Sequence, residues 1–194
     1  MEISGNSIGI IAGLLSFLAY FLYIMSMLKG QCQPNRMTWW TLTVIGVAVA
    51  ISYYASGARQ TMWIALAYVA GPLIISLLSF RYGEGGWGKL ERFCLLGVAA
   101  SLLLWWIFKS PVVALVANLT VDFFALVPTI TKSISRPKGE DRIAWIITVI
   151  SSIINLFALE QWAFSLAVYP LYLIIINGFI TTTLFWPRKR AITE

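Results

Sequence analysis

Lys29-Gly-Gln-Cys-Gln-Pro-Asn-Arg-Met-Thr-Trp39-Trp40 returns about a hundred residues later as Lys132-Ser-Ile-Ser-Arg-Pro-Lys-Gly-Glu-Asp-Arg-Ile-Ala-Trp145. Each copy is a basic, proline-bearing loop that ends on tryptophan and lies between two long apolar runs. Downstream of each, a further apolar run carries a proline near its middle, in Ala70-Gly71-Pro72 and in Val168-Tyr169-Pro170. Internal repeats of one hand within apolar sequence are a feature of transporter folds.

With 59% hydrophobic residues, 11% charged residues and a mean hydropathy of +0.82, the 194-residue chain has too little polar surface to cover a soluble globule. It reads as an all-α integral membrane protein. Crossing about 30 Å of hydrocarbon at about 1.5 Å per residue takes roughly 20 apolar residues. Seven runs approach that length, at 7–28, 38–56, 62–80, 93–108, 111–133, 143–159 and 162–186, the fourth being the shortest.

If these spans alternate in direction, twelve of the fourteen basic residues, from Lys29 and Arg36 to Arg188, Lys189 and Arg190, gather on one side. Only Arg59 and Lys109 fall on the other. Because the basic side is normally cytoplasmic, the N-terminus is expected outside and the C-terminus inside. The net charge of +6 then implies no nucleic-acid partner. No cationic segment precedes the first run, so it reads as a retained span and not a cleaved signal. Gly5, Gly9 and Gly13 share one face of that span and allow a neighbouring helix to approach closely. Cys32 and Cys94 fall on the expected cytoplasmic side, where thiols stay reduced.

Superposing the loops pairs Arg36 with Arg142 and Trp39 with Trp145, and superposing the third and seventh spans pairs Pro72 with Pro170. The fourth span is left over. The organisation is therefore a first three-helix repeat (1–80), a loop and linker helix (81–110) and a second three-helix repeat with a basic tail (111–194). An odd linker returns the second triplet to the orientation of the first, and parallel repeats of this kind place substrate sites near the bilayer midplane between the halves.

This plan resembles the SWEET and PQ-loop superfamily of seven-helix transporters. The resemblance rests on the 3+1+3 pattern over nearly the whole chain, the outside N-terminus, and Asp122-Phe-Phe-Ala-Leu-Val-Pro128-Thr129-Ile-Thr-Lys132-Ser133, which is similar to the end of a PQ-loop helix. Pro128-Thr129 stands where that family has Pro-Gln, and the corresponding place in the first repeat reads Tyr23-Ile24. The resemblance implies alternating access with helix prolines as hinges, and an asparagine of the last helix, here Asn177, at the substrate site.

Asp122 lies halfway along the fifth span. An ionised carboxylate at that depth costs roughly 2.5–3.5 kcal/mol, which favours the neutral acid or a partner. Asn118, one turn earlier on the same face, could donate an amide N–H to it. Asp122 thus reads as a proton-coupling site, as the counter-ion of a cationic substrate, or as a hydrogen-bonded packing residue. Asn155 and Asn177 are candidate substrate readers or interhelical glue. Tyr68 and Tyr169, beside the repeat-matched prolines, complete the candidate substrate set. Pro72, Pro128 and Pro170 each free a carbonyl one turn earlier and serve as gate hinges or static kinks. Most of the nine tryptophans fall at span ends, as interfacial rings do. Trp39 and Trp145, matched between the repeats, are candidates to close an inner gate.

Gly83-Glu-Gly-Gly-Trp-Gly88-Lys89-Leu90 has the spacing of a phosphate-binding loop but lacks its Ser or Thr and joins two apolar spans, so it reads as a linker. The chain has no histidine, which removes His-based metal sites and nucleophile–His dyads. The seventh span has no lysine for a retinal Schiff base, and Asp122 has no second carboxylate at its depth. The reading is a non-enzymatic carrier without cofactor, in a bacterial inner or plasma membrane. Its substrate is a small polar metabolite, sugar-like, amino-acid-like or cationic. Both triplets lie in one chain, which favours a functional monomer, with a dimer as the other arrangement. The alternative is a seven-helix receptor or assembly protein whose basic loops form a docking surface or meet anionic lipid.

Overall fold

In the computed structural model, which describes residues 4–85 and 88–186 and only the backbone of 90 and 91, the chain is helical throughout and has no β-strand among the described residues. The helices are α1 (Gly5–Leu28), α2 (Arg36–Ala55), α3 (Met62–Tyr82), α4 (Lys89–Phe108), α5 (Pro111–Ser135), α6 (Arg142–Leu156) and α7 (Phe164–Phe185), with a 3₁₀ turn at Pro137–Gly139 before α6. The tail cations Arg188, Lys189 and Arg190, and Gly86 and Trp87 of the glycine-rich loop, lie outside the described residues. Helices α1, α2, α3, α5 and α7 are long and apolar enough to cross a membrane; α4 and α6 offer shorter apolar stretches, Arg92–Phe108 and Arg142–Leu156. Large apolar side chains also face outward, with Leu96, Trp106 and Ile175 each 70% exposed. Soluble monomers rarely carry so continuous an apolar surface, and both observations suggest a membrane protein.

The two basic loops end in the same way. Asn35 Oδ1 accepts from the backbone N–H groups of Met37 and Thr38, each at 3.1 Å, and starts α2. Asp141 Oδ1 accepts from Ala144 N–H at 2.9 Å and starts α6. Both are side-chain N-caps that satisfy donors the first helical turn leaves open. Arg36 Nε then donates to the Ser79 carbonyl at 3.1 Å, which fastens the last turn of α3 to the first turn of α2.

The sixth helix ends earlier than its apolar run, at Leu156 and not 159. The chain turns there so that the Glu160 carboxylate can accept from Arg59 N–H at 2.7 Å and from Gln60 N–H, tying the α6–α7 turn to the α2–α3 turn.

Packing follows a regular pattern. α3 lies between α1 and α2, and α7 between α5 and α6; α1 packs on α6, α2 on α5, and α4 against α5 and α2. Among the described residues the backbones of α1 and α2 do not come close to each other, nor do those of α5 and α6. The glycine face of α1 is used as its sequence predicts. A Cβ on Gly9 would come within 1.9 Å of the Gln60 carbonyl oxygen, and one on Gly13 within 2.7 Å of the Trp63 Cβ. Ser16 and Ser151 hydrogen-bond across the α1–α6 contact at 2.6 Å, and Ser151 Oγ reaches the Ala12 carbonyl at 2.7 Å.

Gly9→Ala therefore has to push α1 away from backbone, and is expected to lower stability by about 1–3 kcal/mol. Gly178→Ala on α7, where nothing lies within 4 Å of the added carbon, is expected to leave stability unchanged or slightly raised. Thermal unfolding of the two variants in detergent checks the contrast.

Candidate functional site

A central cavity lies between α1–α3 on one side and α5–α7 on the other. It offers about 60 Å³ to the centres of water-sized occupants, room for a few waters at about 10–15 Å³ each or for a small ligand. Its walls are mostly aromatic and aliphatic.

Tyr20 enters the wall because Gly71 leaves space for it: a Cβ at Gly71 would lie 2.2 Å from the Tyr20 ring. Tyr20 in turn meets Tyr68 edge to face, with centroids 5.7 Å apart. Pro72, one turn beyond Tyr68, removes the N–H that would bond the Tyr68 carbonyl. That carbonyl faces Gly46 of α2, where a Cβ would stand 2.7 Å from the oxygen.

The matched proline of α7 is accommodated differently. Pro170 frees the Leu166 carbonyl, and the Tyr53 hydroxyl donates to it at 2.8 Å while lying 2.8 Å from Thr61 Oγ1. The Tyr53 ring packs on Tyr169 with centroids 4.9 Å apart. These contacts join α2 to α7 at the end of the bundle remote from the basic loops.

At the basic end Trp39 and Tyr23 pack together, with centroids 5.1 Å apart, opposite Trp145. Trp145 Nε1 donates to Glu140 Oε2 at 3.1 Å. Glu140 Oε1 lies 3.1 Å from Lys132 Nζ, and that ammonium also donates to the Gln33 carbonyl in the α1–α2 loop. The pair is buried, its side chains 11% and 3% exposed. Burial pushes the Glu140 carboxyl above its ordinary range, while the Lys132 charge and the hydrogen bonds from Trp145 and Lys132 pull it back. Burial likewise pushes the thiol of the neighbouring Cys32 up to about 11, with the Glu140 charge acting in the same direction.

The cavity brings together Asp122, Asn177, Tyr68 and Tyr169, with Pro72, Trp39 and Trp145 also in its wall. Trp39 and Trp145 are buried, whereas Trp63, Trp106, Trp162 and Trp186 face outward. Asn118, Asn155, Pro128 and Pro170 do not line it.

The expected bond from Asn118 to Asp122 is not made. Asn118 points toward α4 and α2, accepting from Ser101 Oγ at 2.6 Å and donating to Ser52 Oγ at 3.2 Å, so both ends of its amide are used. The partner of Asp122 is Tyr172, whose hydroxyl donates to Oδ2 at 2.5 Å from one turn beyond Tyr169 on α7. Asn155 is fully buried away from the cavity, with neither amide end hydrogen-bonded among the described residues. Asn177 donates to the Tyr68 hydroxyl and, at 3.4 Å, to Ser152 Oγ, spanning α7, α3 and α6. Pro128 lies inside α5, outside the cavity lining.

Sequence reading missed the Lys132–Glu140 pair, having counted Lys132 with the topology-setting cations and Glu140 as a loop acid. The one available signal is an acidic dipeptide, Glu140-Asp141, inside an otherwise basic loop. Among the described residues no group of three His, Cys, Asp or Glu side chains could hold a metal ion. No family model, curated protein or solved structure matches the chain.

Removing one member of a buried ion pair leaves an uncompensated charge, at a cost of about 3–5 kcal/mol. Glu140→Ala and Lys132→Ala are each expected to lower the melting temperature strongly. The double variant should lose less than the sum of the two, and strictly additive losses would show that the pair contributes no coupling.

Proposed function

We propose that the chain is a seven-helix membrane carrier of the SWEET and PQ-loop type, which moves a small polar metabolite by alternating access between two parallel three-helix bundles. The observation that carries this reading is the central cavity, walled by both bundles, with contacts between the bundles toward each of its ends. The packing supports a two-fold relation between the bundles. The third helix of each is its middle one, and α1 meets α6 as α5 meets α2. The matched N-caps Asn35 and Asp141 and the matched Pro72 and Pro170 agree with that relation. α4 then acts as the inverting linker.

Nine of the eleven Lys and Arg residues among the described positions gather with the basic loops, and only Arg59 and Lys109 lie at the other end. That bias supports an outside N-terminus in a bacterial inner or plasma membrane. Both bundles come from one chain, which supports a functional monomer. Asp122 is the proton site or the counter-ion of the substrate, Trp39 and Trp145 belong to the inner gate, and no catalytic group is required. The rival is a receptor or assembly protein with a static bundle.

The two readings part on accessibility. Thr148 lines the cavity on α6, and Thr148→Cys in a Cys32→Ser/Cys94→Ser background can be labelled only when an end opens. With a membrane-impermeant maleimide in sided vesicles, a carrier is expected to label from both faces, with Asp122→Asn shifting the ratio between them. Labelling from one face alone, unchanged by every substitution in the cavity, removes the carrier reading and leaves the receptor.

A further inference from the structure

We infer that the central cavity receives a small organic cation, an amine or quaternary ammonium, with the Asp122 carboxylate as its counter-ion and the surrounding rings as its cage. The inference rests on the carrier reading and adds the class of substrate. Among the described residues Asp122 is the one acid in the cavity wall, and no Lys or Arg shares that wall. Lys132, at the basic end, is committed to Glu140 and the Gln33 carbonyl. Tyr172 occupies Asp122 Oδ2, and Oδ1 has no protein donor among the described residues. An anionic ligand would meet the carboxylate with nothing to offset it.

The rest of the wall has the character of a cation site. Tyr20, Tyr23, Trp39, Tyr68, Trp145 and Tyr169 all line the cavity. Tyr20 meets Tyr68 and Trp39 edge to face at centroid separations of 5.7 and 6.4 Å, an arrangement that keeps ring faces and edges in fixed mutual orientation. Ring faces attract cations through their quadrupole, most strongly where water is excluded. A polyol makes the opposite demand, for several unspent amides and hydroxyls. Asn177, the one amide in the wall, spends its Nδ2 on Tyr68 and Ser152, so that only the Oδ1 acceptor of that amide is left for a ligand. The limited volume sets a small body for the ligand.

The test compares cations with neutral molecules of the same shape on the full chain in nanodiscs, read by melting temperature and tryptophan fluorescence. Choline is paired with 3,3-dimethyl-1-butanol, and tetramethylammonium and ethylammonium are run beside them with glucose. At least one cation is expected to bind about tenfold tighter than its neutral counterpart, and Asp122→Asn, which keeps an acceptor for Tyr172, is expected to abolish that preference. Tyr20→Phe, which keeps the ring, should retain the affinity, and Tyr20→Leu should weaken it. Equal binding of cations and neutral counterparts, no binding by any cation, or a preference that survives Asp122→Asn overturns the inference. Uptake into liposomes separates this from the carrier reading. Cation binding without uptake leaves the site and removes the carrier, whereas uptake of glucose without cation binding leaves the carrier and removes the cation.

Discussion

Inside an apolar bundle a polar group has no water to return to, and that constraint organises this protein more than any single contact. Several interior polar groups are answered by a group from another part of the chain. The carbonyl freed by Pro170 receives the Tyr53 hydroxyl, Asn118 joins α5 to α4 and α2, Asn177 joins α7 to α3 and α6, and Glu140 receives Lys132 and Trp145. Helices whose outer faces are uniformly apolar gain little orientation from hydrophobicity in lipid, where small residues and polar bonds fix the contacts. The glycine face of α1 and these bonds therefore specify which helix meets which. Asn155, buried with neither amide end bonded among the described residues, departs from the pattern, as do the Tyr23 hydroxyl and the Trp40 indole N–H.

Helix positions and the close-packing face of α1 were legible in the sequence because they depend on run length and residue size, which are local. The N-caps Asn35 and Asp141 directly precede the arginines that align the two loops, a local signal that the sequence reading did not use. The site was legible only in part. Asp122 could be singled out because a carboxylate at depth is costly wherever it lies, and the proline-adjacent tyrosines because their helices match. Its partner could not be read. Helical spacing puts Asn118 and Asp122 one turn apart, but rotation of α5 turns the amide toward α4 and the acid toward Tyr172, and that rotation is set by neighbours far away in sequence. The Lys132–Glu140 pair was hidden for the related reason that a charge in a loop is usually solvated, and only the fold of the 3₁₀ turn carries this one inward.

The contacts at the two ends of the cavity each combine neutral and charged groups, and on the carrier reading that has a consequence. At the end remote from the basic loops, α2 and α7 are joined by a neutral hydroxyl–carbonyl bond and a ring contact, Tyr53 with Leu166 and Tyr169, and the Glu160 carboxylate accepts from the Arg59 and Gln60 N–H groups across the same end. A neutral hydrogen bond contributes about 0.5–1.5 kcal/mol net. At the basic end an ammonium that is itself buried and paired holds the Gln33 carbonyl of the opposite bundle, and bonds to charged groups contribute about 1.5–3 kcal/mol. On the carrier reading, each end therefore parts at least one bond to a charged group as it opens. An occupant at Asp122 lies between the two closures. It can favour opening of the basic end only through the rings of Tyr23, Trp39 and Trp145, because these line both the cavity and the approach to Glu140.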